Sequence, residues 1–278
     1  HERSSTLLLT LHHIVTDGWS MAVLVRELGA LYAAALRGEP PALPALPIQY
    51  ADHAAWQRQW LQGELLDRQL AYWKRTLEGA PEALDLPTDR PRPPVMRHRG
   101  ARVDFPVPAA LHAAVKELCR RDDLTPYMVL LAGFAALLHR YTGQDDLVIG
   151  SPIAGRTRPE TEGLIGLFVN TLAIRARVGA ESTFRELLLR VKDASLFAYA
   201  HQDVPFERLV EELRPKRDLG RAPIFQVMFI LQNTPLPPLD LGPLHLSPAQ
   251  TDAGASKFDL TLELTEGRDS LSGALTYD

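Results

Sequence analysis

His12-His13-Ile14-Val15-Thr16-Asp17-Gly18-Trp19-Ser20 joins two segments of different periodicity. Before it, Leu7, Leu8, Leu9 and Leu11 have the pattern of a short buried strand. After it, Leu24, Leu28, Leu31 and Ala35 recur at three- and four-residue spacing, while Arg26, Glu27 and Arg37 lie off that stripe. This predicts a helix from about Trp19 to Leu36 with one buried face and Asp17 as its cap.

The join carries the chemistry. Adjacent histidines on extended chain point in opposite directions, so at most one faces a given cavity. An imidazole can accept a proton at neutral pH, and an Asp at the turn can fix the local geometry. Gly18 is expected to permit a tight turn and a close approach of backbone to substrate.

Working outward, a Pro-rich connector runs from Gly38 to Pro47. Trp56, Trp60, Leu66, Leu70, Trp73 and Leu77 then predict one long helix over Tyr50 to Leu77, its apolar face serving as core. The Pro- and Arg-rich stretch Pro81 to Gly100 is expected to separate two lobes, 1–98 and 99–278, because its prolines continue neither a helix nor a central strand.

Beyond it the pattern predicts a strand at Arg102 to Val107 and a helix bearing Leu111, Val115 and Leu118. A deeply buried helix follows, opened by Thr125-Pro126 and closed by Gly143, then a short internal strand at Leu147 to Ile149. Leu172, Ile174, Ala176 and Val178 alternate with Ala173, Arg175 and Arg177, as in a strand with one face inward. Thr183 and Glu186 make a capping box. Strands are expected at Phe225 to Leu231, Phe258 to Leu264 and Leu271 to Tyr277, giving an α+β fold with no regular βαβ repeat.

Composition narrows the function. A net charge of -4 with dispersed arginines offers no basic footprint and disfavours nucleic acid. The single cysteine, Cys119, can make no internal disulfide, fits a reducing cytoplasm, and is expected to pack in the core. No apolar run looks long enough to span a bilayer and no leader opens the chain, so neither membrane attachment nor export is expected. No spacing of ligands suits a metal, and no Gly-rich phosphate loop is present. The chain opens on His1, not Met, runs at once into apolar sequence and ends on a strand pattern, as a piece cut from a longer polypeptide would.

His12-His13-x-x-x-Asp17-Gly18 resembles the HHxxxDG motif of nonribosomal peptide synthetase condensation domains and of the wider chloramphenicol-acetyltransferase-like acyltransferases. Further segments are similar to that family's motifs and stand in its order: Tyr50-x-Asp52-x-Ala54-x-Trp56, Ile165 to Thr171, His201 to Phe206, and Arg217-Asp218-Leu219-Gly220-Arg221-x-Pro223. The resemblance implies a two-lobed α+β fold of the chloramphenicol-acetyltransferase type, with the first lobe incomplete here.

It also implies catalysis of amide-bond formation between a carrier-bound aminoacyl or peptidyl thioester and the α-amine of a carrier-bound acceptor. The partners would be an upstream donor and a downstream acceptor peptidyl carrier domain, with an adenylation domain adjacent. There would be no intrinsic cofactor, the substrates riding on the carriers' 4'-phosphopantetheine arms.

By the same resemblance His13 sits at the centre of a substrate tunnel, as a base or as an orienting and charge-stabilising partner, and His12 supports it. The Gly18 N–H is a candidate oxyanion contact. Trp19 and Asn170 are candidate tunnel residues, although Asn170 equally suits backbone hydrogen bonding beside Thr171. Asp17 is structural; its family partner is an Arg from an earlier segment, expected to lie before His1. His201 and Asp203 are expected to fix a turn.

Asp17-Gly18-Trp19-Ser20 favours condensation over epimerisation, and Ser151 to Arg156 with Glu162 to Leu164 favours an L-configured donor. Gly220, Ala222 and His53 depart from the usual Ser, Asn and aromatic residue. Two other readings stay open: a free-standing acyltransferase, and a non-catalytic carrier-docking domain.

Overall fold

Six strands in the order β1-β8-β7-β4-β2-β3 form the sheet on which most of this protein is built. The structure, a computed structural model, describes residues 6–179, 181–216, 218–233, 240–241, 244–245, 254–267 and 270–278; Arg217 of the last quoted motif lies outside them. The helices are α1 (Gly18–Arg37), α2 (Tyr50–Trp60), α3 (Gly63–Leu77), α4 (Ala109–Asp122), α5 (Pro126–Thr142), α6 (Phe184–Ala200) and α7 (Phe206–Leu213). The strands are β1 (Ala101–Val107), β2 (Asp146–Ile153), β3 (Asn170–Arg177), β4 (Val227–Gln232), β5 (Asp240–Leu241), β6 (Leu244–His245), β7 (Leu260–Glu266) and β8 (Leu271–Tyr277).

The chain divides into two compact units. One holds residues 1–60, 154–169 and 236–249, and the other holds 61–153, 170–235 and 250–278. The division therefore falls after Trp60 and interleaves the chain, where the Pro-rich stretch led us to expect a cut at 98/99. The physical reason is that α3, N-terminal to the prolines, packs into the sheet's core through Leu70 and Trp73.

In the larger unit, β2 and β3 pair antiparallel over their whole length, β4 runs parallel to β2 and β7, and β8 joins β7 to β1. Helix α5 is the buried helix of that core, with Leu131, Ala132 and Ala135 fully inside. Its ends form as the sequence dictates: the Thr125 hydroxyl accepts from the Met128 amide, and Gly143 closes the helix at φ +70°. The Thr183–Glu186 capping box opens α6, and Cys119 is buried in the core. Strand β3 differs from expectation, because Ala173 is buried on the supposed outer face and Arg175 is drawn down against Asp146 at 28% and 7% side-chain exposure for Asp and Arg.

The predicted helix over Tyr50 to Leu77 is two helices. Gln62 is extended and Gly63 takes φ +58°, a left-handed conformation that helix geometry does not allow. Leu7 to Leu11 is not a strand: no ladder among the described residues pairs with it, and its four leucines are exposed. Helix α1 forms as predicted, but its buried positions are Ser20, Val23, Gly29 and Ala34, and Leu31 is exposed. That helix is also long and apolar enough, at 20 residues and mean hydropathy 1.3, to meet a bilayer-crossing criterion, contrary to the expectation that no run would. Arg26 and Glu27 stand at mid-helix in that span.

Candidate active site

The smaller unit holds the motif, and its geometry starts with two hydrogen bonds. His12 precedes a 3-10 turn, His13–Val15, and its Nδ1 accepts from the Ile14 amide at 3.0 Å. His13 Nδ1 lies 2.7 Å from the Thr16 carbonyl oxygen. A carbonyl only accepts, so His13 carries a proton on Nδ1, and in the neutral ring the lone pair is on Nε2. His12 has the opposite arrangement, with Nδ1 as acceptor and Nε2 protonated. Both residues are exposed, so the basic nitrogen of His13 is on an open turn.

Asp17 anchors this turn. Its Oδ1 accepts from the Ser20 amide at 2.8 Å, capping α1, and its Oδ2 accepts from the amides of Phe168 at 2.9 Å and Val169 at 3.3 Å. Arg156 Nη2 meets Oδ1 at 3.3 Å, with the two side chains 1% and 3% exposed for Arg and Asp. The Arg partner is therefore supplied by a later segment, correcting the expectation of one before His1. Burial alone would raise the Asp17 carboxyl; the Ser20 and Phe168 amides, the Ser20 hydroxyl and the Arg156 charge outweigh it and hold it below the usual carboxylate range.

Arg156 makes further contacts, and of its guanidinium nitrogens only Nε is buried without a hydrogen-bond partner among the described residues. Its Nη2 donates to the Ser20 hydroxyl at 2.8 Å, and its Nη1 donates to the carbonyls of Thr161 and of Leu164, the latter at 2.9 Å. The guanidinium lies 4.0 Å from the Phe168 ring centroid. Ser20 in turn donates to the Gly166 carbonyl at 2.8 Å and accepts from the Gly166 amide at 3.1 Å. Residues 154–169 are thus pinned around the motif turn by one buried polar network.

Trp19 contributes its indole N–H to the Glu162 carbonyl at 2.9 Å, which places it in this same bracing. Gly18 opens α1 with its position for a Cβ facing open space and no positive φ. It needs no left-handed backbone, and without a side chain it adds no bulk beside the first helical turn, whose N–H groups have no intrahelical acceptor.

An aromatic cluster that the periodicity did not reveal stands beside the network. Tyr50 meets Phe168 edge-on at 5.1 Å and donates its hydroxyl to the Leu167 carbonyl at 2.8 Å. His53 lies 4.8 Å from Phe168, taking the place of an aromatic ring. Burial, then the Arg156 and Arg158 charges, push its imidazole below its ordinary value. Trp56 and Trp60 stack at 4.9 Å, and the Arg158 guanidinium covers Trp56 at 4.2 Å.

Asn170 belongs to the other unit. Its Nδ2 donates to the carbonyls of Gln202 and Val204, both at 2.8 Å, and its Oδ1 accepts from the amides of Thr171 at 2.8 Å and Phe206 at 3.0 Å. These four bonds fill the capacity of a carboxamide. His201 closes α6 and Asp203 accepts from Gln69 Nε2 at 2.6 Å, both in the turn ahead of α7. Gly220 is explained by packing, since a Cβ there would sit 2.7 Å from the Pro93 carbonyl. Among the described residues no group of three His, Cys, Asp or Glu side chains is placed to hold a metal ion.

The condensation-domain family profile matches residues 1–278. The chain belongs to the condensation-domain family. Among its relatives, a linear gramicidin synthase polypeptide of Brevibacillus parabrevis is 51% identical over the whole of this chain and 4% of its own length. Phosphinothricin tripeptide synthetase PhsB of Streptomyces viridochromogenes is 50% identical over 98% of this chain and 23% of its own length. The chain thus spans a small part of the synthetases it matches. Among solved structures, the X-domain from teicoplanin biosynthesis superposes with TM-score 0.87 at 32% identity, covering 96% of this chain and 62% of that one. A four-domain nonribosomal peptide synthetase bound to AMP and glycine superposes with TM-score 0.83 at 29% identity, over 96% of this chain and 21% of that one. The fold is that of the chloramphenicol-acetyltransferase-like condensation domains.

Proposed function

We propose that this condensation domain joins a donor aminoacyl or peptidyl thioester to the α-amine of an acceptor, both delivered on 4'-phosphopantetheine arms of peptidyl carrier domains. The observation that carries the reading is the His13 tautomer: with Nδ1–H committed to the Thr16 carbonyl, Nε2 is available to take a proton or to accept a hydrogen bond from the attacking amine. The amine must lose a proton as the amide bond forms, and the thiolate leaves as the thiol. Asp17 and Arg156 do not touch the reactants; they hold the turn. Gly18 N–H is the candidate donor to the tetrahedral oxyanion.

A thioester is already activated, so positioning supplies a large part of the acceleration, and a general base adds about 10²- to 10⁴-fold. The partners are an upstream donor carrier, a downstream acceptor carrier and an adjacent adenylation domain, working in the cytoplasm with no cofactor held by this domain itself. Similarity to synthetases that make linear gramicidin and phosphinothricin tripeptide supports a peptide product.

One observation favours a second reading. The X-domain that superposes here at TM-score 0.86 and 33% identity was solved in complex with OxyB, which supports reading this domain as one that docks a partner. The test uses the full polypeptide with donor and acceptor carriers loaded as aminoacyl thioesters, following dipeptidyl-thioester formation. Product that forms, and slows by about 10²-fold or more in His13→Ala, supports condensation. Carriers that bind without any dipeptide forming make docking the function.

A further inference from the structure

A groove of about 960 Å³ runs between α3 and α6, over strand β3. Its walls are tied to each other: the His201 ring stacks on Tyr72 at 3.9 Å, and the Trp73 indole N–H donates to the His201 carbonyl at 2.8 Å. Arg175 braces the floor, bonded to Asp146 and to the carbonyls of Thr76 and Glu78. Ala173 and Ile174 beneath are 1% exposed, so the strand's backbone is out of reach and recognition falls to side chains of the walls and rim.

Those side chains make one pattern. On α6, Arg190, Ala194, Phe197 and His201 follow one another at four-, three- and four-residue spacing, a single face about 16 Å long. Phe197 is 58% exposed, with the small Ala194 one turn before it. On α3, Arg75 follows Tyr72 by three residues. Two helix faces with this spacing, open between them, suit the packing of a further helix.

Charge selects the occupant. In a chain of net charge -4, four arginines and two aspartates line this groove. Arg175 and Asp146 neutralise each other, and Asp145 lies 3.3 Å from His139. Arg75, Arg177 and Arg190 are exposed and make no ion pair among the described residues; Arg190 donates to the Arg177 carbonyl at 3.2 Å and stands one turn from Glu186. The surplus positive charge repels the same groove of a second copy and attracts carboxylates.

We infer that this groove docks an acidic amphipathic helix of a partner protein, its apolar face on Phe197 and Ala194 and its carboxylates on Arg75, Arg177 and Arg190. The binding does not depend on the reaction read at His13, since every group it uses is in the larger unit.

The probe is a fluorescein-labelled peptide of about 14 residues, stapled as a helix, with leucines at three- and four-residue spacing and glutamates elsewhere. It is titrated into the full chain and followed by fluorescence anisotropy. The expected result is saturable binding, weakened roughly tenfold by Arg75→Glu and by Phe197→Ser, two exposed positions, in variants that keep the natural circular dichroism. Arg140→Glu, which changes an exposed arginine outside the groove, should leave the affinity unchanged. No saturable binding, undiminished binding by both groove variants, or an equal loss in Arg140→Glu overturns the proposal. Equal affinity of a peptide with lysine for glutamate overturns its acidic specificity, and equal affinity of an unstapled peptide interrupted by proline overturns the helix.

Discussion

The carboxylate of Asp17 and the guanidinium of Arg156 meet at 3.3 Å, 139 residues apart in sequence and almost wholly out of solvent. Removing one partner leaves the other charge buried and its hydrogen bonds unmet, so Arg156→Met is expected to destabilise the chain by about 3–5 kcal/mol. Denaturant unfolding measures it, and a loss below about 1 kcal/mol would show that the network contributes little.

The same carboxylate sets a pH dependence. Its folded pKa is depressed, so the unfolded chain binds its proton first as pH falls. Asp17 therefore stabilises fully above its unfolded value of about 3.9, and that stabilisation is lost as pH falls through the folded value. The stability difference between the natural chain and Asp17→Asn should be greatest above about pH 5 and narrow toward acid. A difference that stays constant with pH would contradict the depressed pKa.

His12 and His13 should be distinguishable by tautomer. With both rings neutral, ¹⁵N NMR is expected to find the proton on Nδ1 of His13 and on Nε2 of His12, as their bonds to the Thr16 carbonyl and Ile14 amide require. His12→Ala should cost about 0.5–2 kcal/mol as a lost cap and slow catalysis far less than His13→Ala. Equal rate losses in the two variants would assign them a joint role.

Much of this arrangement is visible in local sequence, and what is not has identifiable causes. Thr125-Pro126, Gly143 and the Thr183–Glu186 box act within four residues, so their effects can be read directly. The HHxxxDG turn is local too, and so is the Asp17 cap. The Arg156 pairing and the Tyr50–His53–Phe168 cluster join distant segments, and nothing in their spacing announces them. Gly63 was hidden for a different reason: a single glycine inside a helical pattern is usually tolerated, and here, at the start of α3, it takes a left-handed conformation that breaks the run begun at Tyr50. The four leucines before the motif have strand composition, but composition makes no strand without a partner edge.

Gly18→Ala separates fold from function. A Cβ at that position meets nothing within 4 Å and the backbone is not left-handed, so stability should change by less than about 0.5 kcal/mol. The same methyl group would stand beside the first-turn amides of α1 where the oxyanion is proposed to form. Dipeptide formation is therefore expected to fall by about tenfold or more, chiefly in turnover. Unchanged turnover would remove Gly18 from the reaction centre.

Asn170 offers the opposite dissociation. Its carboxamide serves two amides and two carbonyls that join the start of β3 to the turn before α7. Truncation to alanine leaves part of that set buried without partners, and a cost of about 2–4 kcal/mol is expected in denaturant unfolding. Asn170→Asp keeps the acceptor oxygen for Thr171 and Phe206 but gives up both donated bonds and sets a carboxylate against the carbonyls of Gln202 and Val204, so it should be nearly as damaging. If instead both variants unfold like the natural chain while dipeptide formation falls, Asn170 contacts substrate and its hydrogen bonds to the backbone are dispensable.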